Sequence, residues 1–68
     1  MVKVPRLRAL RQQRVLSQEE LAKKAGVSPT TVNSVEGGAD ARYVTIRRLA
    51  EALGVPAEDL VKPEEKVG

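Results

Sequence analysis

Apolar residues recur at three- and four-residue intervals through most of the chain, and nowhere do they alternate as a half-buried strand would require. Leu7 and Leu10 make a first stripe, with Leu16 following after a break. Leu21, Ala22 and Ala25 make a second, Val32 and Val35 a third, and Ile46, Leu49, Ala50 and Leu53 a fourth, while Leu60 turns inward from a last short segment. The pattern predicts five helices: residues 5–14, 18–25, 29–36, a stretch from about 43–45 to Leu53, and 56–61.

The boundary residues agree with these spans. Pro5 is expected to open the first helix, where a missing N–H costs nothing. Ser17 followed by Glu20 forms a capping box for the second helix, and Ser28 followed by Pro29 starts the third. Gly26 and Gly54 stand just past the last periodic residue of their helices, and Gly37 and Gly38 close the third. Residues 39–42 form a short loop, Pro56 opens the last helix and Lys62-Pro63 ends it. Residues 1–4 are too short to fold by themselves, and 62–68 are expected to fray. The fold class is therefore all-α, in one domain spanning residues 1–68 with its core at about 5–61.

The segment QEELAKKAGVSPTTVNSV, residues 18–35, reads as two short helices folded across a glycine. Val27 plugs the corner, and Ala22 faces the partner helix where a longer side chain would force the two apart. Two crossed helices joined by a turn this tight make a helix-turn-helix. Counted from Gln18, alanine is fifth, glycine ninth, and branched apolar residues fifteenth and eighteenth. An ordinary helical hairpin has no need of all four, whereas the hairpin that reads DNA does.

Composition narrows the chemistry. The 68 residues include neither cysteine nor histidine, so disulfides, thiolate zinc sites and the usual general base are all missing. No carboxylate pair is tied to a nucleophile or a phosphate-binding glycine loop; an enzyme, a metal and a cofactor are not expected. No apolar run approaches the roughly 20 residues that span a bilayer, and no signal peptide opens the chain, so a soluble cytoplasmic protein with no membrane partner is expected. The net charge of +3 is uneven. Residues 1–35 carry seven basic side chains against two acidic ones, a net of +5, and residues 36–68 carry five against seven, a net of −2. Basic charge is concentrated in the half that holds the hairpin, as a polyanion-binding face requires. Tyr43 is the single aromatic residue, which argues against recognition of single strands by stacking.

The strings LRALRQQRVLSQEELAKKAGVSPTTVNSVEGG and TIRRLAEALGV together resemble the lambda-repressor-like domain of the Xre/Cro family of prokaryotic transcriptional regulators, over residues 6–61. The resemblance implies a five-helix DNA-binding domain with the helix-turn-helix as helices 2 and 3. It also implies that Arg11 of helix 1 and Glu36 at the end of helix 3 form a partly buried ion pair. Helix 3 would lie in the major groove. Matching the family pattern residue by residue places Pro29, Thr30, Asn33 and Ser34 on its base-facing side, with Val32 and Val35 in the core. Asn33 could then make a bidentate contact to adenine, Thr30 and Ser34 could donate or accept, and Pro29 offers an apolar surface to a thymine methyl. These positions lack the arginine or glutamine often found there, which leaves a larger share to DNA shape.

Gln18, at the positive end of helix 2, is expected to hold a phosphate with its backbone N–H and its amide together. Ser17, Ser28 and Thr31 are further phosphate candidates, the two serines serving first as caps. Lys3, Arg14 and Arg42 join them by proximity to the ends of the hairpin. The expected partner is double-stranded DNA carrying an inverted repeat. A weak homodimer, strengthened on DNA and formed through apolar residues near Val55, Val61 and Val67, would match two half-sites. The rival is a protein-interaction module, such as an antitoxin or adaptor, that keeps the fold and binds a protein partner.

Overall fold

The computed structural model describes residues 2–62, which form five helices: α1 Leu7–Gln13, α2 Gln18–Ala25, α3 Pro29–Glu36, α4 Tyr43–Leu53 and α5 Ala57–Val61. α2 lies at the centre, packed against both α3 and α4, while α5 covers α4 and α1 rests on α3. Leu7, Leu21, Val32, Leu49 and Leu60, one from each helix, are fully buried. Each apolar stripe read along the chain faces this common core.

Local chemistry sets the helix ends. Ser17 Oγ accepts from the Glu20 N–H, and Glu20 Oε1 accepts from the Ser17 N–H, both at 3.0 Å, so two otherwise unpartnered donors are satisfied at once. Ser28 Oγ accepts from the Thr31 N–H at 3.1 Å at the head of α3. Gly26 takes φ 72° between α2 and α3, a left-handed conformation that a side chain would disfavour.

Two of the three proline-led starts differ from expectation. Pro5 lies in a turn ahead of α1, closed by the Leu7 N–H on the Val4 carbonyl at 3.3 Å, because Val4 is itself drawn into the core at 3% exposure. Pro56 caps α5 rather than beginning it. The first residues also do more than sequence suggested. Val2 and Ala41 exchange two backbone hydrogen bonds of 3.0 and 2.8 Å, an isolated antiparallel bridge that pins the N-terminal arm to the α3–α4 loop. Ala41 is thereby buried although it belongs to a loop. The Arg6 N–H reaches the Leu60 carbonyl at 3.4 Å and joins α5 to the entry of α1.

The proposed pairing residues Val55 and Val61 are half-buried and packed on the core margin, so part of each remains open at the surface; Val67 and the fraying expected of the tail lie outside the described residues. Among the described residues the exposed large apolar side chains are instead Val15, Tyr43 and Val44. Val15 is 87% exposed and holds φ 55°, an arrangement that β-branched residues rarely adopt.

Two substitutions test this architecture by denaturant and thermal unfolding. Leu49→Ala empties a fully buried site on α4 and should lose about 2–5 kcal/mol, a large part of the stability of so small a domain. Val15→Gly relieves the left-handed strain and should gain about 1 kcal/mol, raising Tm by several degrees.

Candidate nucleic-acid interface

Burying Val32 and Val35 turns the opposite face of α3 outward, and Pro29, Thr30, Asn33 and Ser34 are all exposed along it. The start of α2 lies beside this face. Gln18 Nε2 donates to Asn33 Oδ1 at 3.3 Å and to Glu36 Oε1 at 3.1 Å, so the two helices present one continuous polar surface.

Glu36 anchors that surface from below. Its side chain is fully buried and accepts four hydrogen bonds: from Arg11 Nε at 2.5 Å, Arg11 Nη2 at 3.0 Å, Gln18 Nε2 at 3.1 Å and Arg8 Nε at 3.3 Å. Arg11 adds a bond from Nη1 to the Leu16 carbonyl at 2.7 Å, which holds the α1–α2 turn around Val15. Burial alone would push the Glu36 carboxyl up; the hydrogen bonds from Arg11, Gln18 and Arg8 and the Arg11 charge outweigh it and hold the group below its ordinary value of 4.5. The same hydrogen bond to Glu36 raises Arg11 against its own burial.

The remaining expected residues fall into different places. Ser17 and Ser28 cap their helices, and the Thr31 hydroxyl lies 2.8 Å from Ser28 Oγ, within that cap. Gln18 retains its backbone N–H at the head of α2, but both donors of its amide face Asn33 and Glu36, so the amide is not free to hold a phosphate as expected. Lys3 Nζ donates to the Gly38 carbonyl at 2.5 Å and lies 3.8 Å from Asp40, fastening the N-terminal arm to the loop after α3. Arg14 Nε donates to the Leu53 carbonyl at 3.0 Å, which draws its guanidinium to the C-terminal end of α4. Each of these two phosphate candidates is thus engaged with a backbone carbonyl. Arg42 is exposed at the head of α4.

Sequence reasoning missed Arg8 and Gln18 as partners of Glu36. Arg8 stands three residues before Arg11 and so shares its helical face, a signal that was readable. The approach of Gln18 depends on how α2 meets α3 and leaves no mark in the spacing. Among the described residues no group of three or more carboxylates, histidines or cysteines could hold a metal, and no described helix is long and apolar enough to cross a membrane.

The helix-turn-helix domain family matches residues 5–62. The chain belongs to that family. The HTH-type transcriptional repressor RghR of Bacillus subtilis (strain 168) is 42% identical over 57 residues, covering 81% of this chain; the chain spans 42% of the length of that relative. The restriction-modification controller protein C.AhdI from Aeromonas hydrophila superposes with a TM-score of 0.78 at 39% identity, covering 87% of this chain and 92% of that one. The N-terminal DNA-binding domain of the master biofilm-regulator SinR from Bacillus subtilis superposes over the whole of both chains, TM-score 0.78; at 23% identity it speaks for the fold alone. This is the lambda-repressor-like, all-α form of the helix-turn-helix.

Removing one partner of the buried cluster should expose its worth. Glu36→Ala strands the Arg11 guanidinium and should lose about 3–5 kcal/mol, whereas Asp40→Ala, which breaks an exposed pair with Lys3, should change stability by no more than about 1 kcal/mol. Because the Glu36 carboxyl is held below 4.5, its stabilisation is complete above that pH and is lost as pH falls through the lower folded value. Unfolding curves of the wild type between neutral pH and pH 3 should show this decline, and Glu36→Ala should flatten it.

Proposed function

We propose that the chain is a sequence-specific double-stranded DNA-binding regulator of transcription, acting as a repressor, which inserts α3 into the major groove. The observation that carries this reading is the exposed face of Pro29, Thr30, Asn33 and Ser34, braced against the head of α2, in a helix-turn-helix chain. The kinship with RghR and C.AhdI supports regulation as the role.

In this reading α2 crosses the sugar-phosphate backbone, and its first N–H groups, with Gln18 foremost, receive a phosphate oxygen at the positive helix end. Thr30, Asn33 and Ser34 face base edges, Pro29 meets a thymine methyl, and Arg42 steadies a phosphate from the head of α4. Ser17, Ser28 and Thr31 assist at the helix heads. Two copies would occupy inverted half-sites about one helical turn apart, with pairing strengthened on DNA. The protein works in the cytoplasm and carries no catalytic function or cofactor. A protein-interaction role on the same fold is separated from this reading by salt, because phosphate contacts weaken by about 0.9 log units each per log unit of salt.

Selection of bound duplexes from a random pool at near-physiological salt, followed by sequencing, tests the reading. An inverted repeat should be enriched, and Thr30→Ala and Asn33→Ala should each erase the preference at one or two base pairs, by roughly 1–3 kcal/mol per contact. Weak binding with no enriched sequence would refute a sequence-specific regulator and favour the protein-interaction role.

A further inference from the structure

A chain of three side chains runs from the core to the groove-facing surface, and its polarity is set at the buried end. The Glu36 carboxylate has no hydrogen to donate, and its side chain is fully buried with Arg11 and Arg8 bound to it. Whatever Gln18 turns toward it must be a donor, and Nε2 fills that place at 3.1 Å. The second hydrogen of the same NH2 group faces Asn33, which must therefore offer its carbonyl, Oδ1, at 3.3 Å. Reversing Gln18 would aim a carbonyl at a carboxylate; reversing Asn33 would set two NH2 groups face to face. Each link allows one orientation, so the Asn33 amide keeps both of its hydrogens for the exposed side and has one of its carbonyl lone pairs already engaged.

We propose that Glu36 is a positioning residue for base recognition: acting through Gln18, it fixes the Asn33 amide so that its NH2 group leads into the groove and selects the acceptor edge of a purine over cytosine. Purines present N7, and guanine adds O6, as acceptors in the major groove, whereas cytosine presents the N4 donor, which an NH2 group repels. Glu36 itself touches no base. The inference rests on the DNA-reading role given to α3 above.

Two measurements on the whole chain test it. In the free protein, nuclear Overhauser spectra should show no strong cross-peak between the Gln18 and Asn33 side-chain NH2 groups; a strong one would mean that Asn33 faces the other way and would overturn the proposal. In duplex selections, Asn33→Ala should erase the preference at one base pair, and replacing the purine there by its 7-deaza analogue, which lacks the N7 acceptor, should weaken wild-type binding at least about fivefold while leaving Asn33→Ala unaffected. Gln18→Ala, whatever it does to overall affinity, should bring discrimination at that base pair below about twofold relative to the rest of the motif, and Asn33→Ala added to it should remove nothing further. Glu36→Gln, whose neutral amide can turn either end to Gln18, should act as Gln18→Ala does; Gln18→Ala keeps the test intact if the Glu36 variant fails to fold. Retention of full discrimination in Gln18→Ala, or wild-type binding that tolerates the 7-deazapurine, overturns the relay alone. A wild type that enriches no motif, or one that Asn33→Ala leaves unchanged, defeats the DNA-reading role and the base preference with it.

Discussion

A carboxylate with no exposure to water can remain charged only when its lone pairs are filled, and Glu36 meets that condition with donors from two helices other than its own. Arg8 and Arg11 come from α1 and Gln18 from α2, while Glu36 closes α3. Desolvation sets the sign of the constraint. An ion pair of this kind adds little net stability over an apolar cluster of the same shape, yet it punishes any arrangement in which one partner is missing. α1 and α3 share few other contacts, so the carboxylate decides how α1 sits on the hairpin.

Around that point the fold relies on packing that leaves little to spare. Ala22 and Ala25 let α2 approach its neighbours closely, and Leu21 fills the space between them without exposure. With helices of five to eleven residues, none long enough to be stable in isolation, the caps and the tertiary contacts must act together. The Val2–Ala41 bridge and the Arg6 bond to Leu60 extend the same logic to the ends of the chain: an arm and a terminal helix too short to hold themselves are fastened by backbone groups.

What could be read in advance was what local rules determine. Periodicity identified Leu21, Ala22, Ala25, Val32 and Val35 because each side of a helix is set by residues three and four apart, and the capping box at Ser17 involves atoms only three residues apart. The parts that escaped depend on long-range encounters. Nothing in the loop around Ala41 announces that it meets Val2, and Arg14 looked available because the Leu53 carbonyl that holds it lies 39 positions away. Val15 illustrates a different gap. The hydrophobic pattern treats valine as a residue to bury, but the turn after α1 needs a left-handed conformation there, and the bonds between Arg11 and Leu16 hold the chain to it.

The same encounters alter what the outer surface can offer. Read from the sequence, Gln18 and Asn33 are two independent amides, each with a full set of donors and acceptors. Folded, they are successive links from a buried carboxylate, so the hydrogen-bonding character at the surface is inherited from a group that never reaches it. With Lys3 and Arg14 directed to backbone carbonyls, the open face of α3 is left with short, mostly uncharged side chains. A face of that kind has little Coulombic attraction of its own, so in the proposed DNA-reading role its discrimination would come from the orientation of a few donors and from the fit of α3 into the groove. The buried cluster governs both, because Glu36 holds the amides at one end and the seat of α3 against α1 at the other.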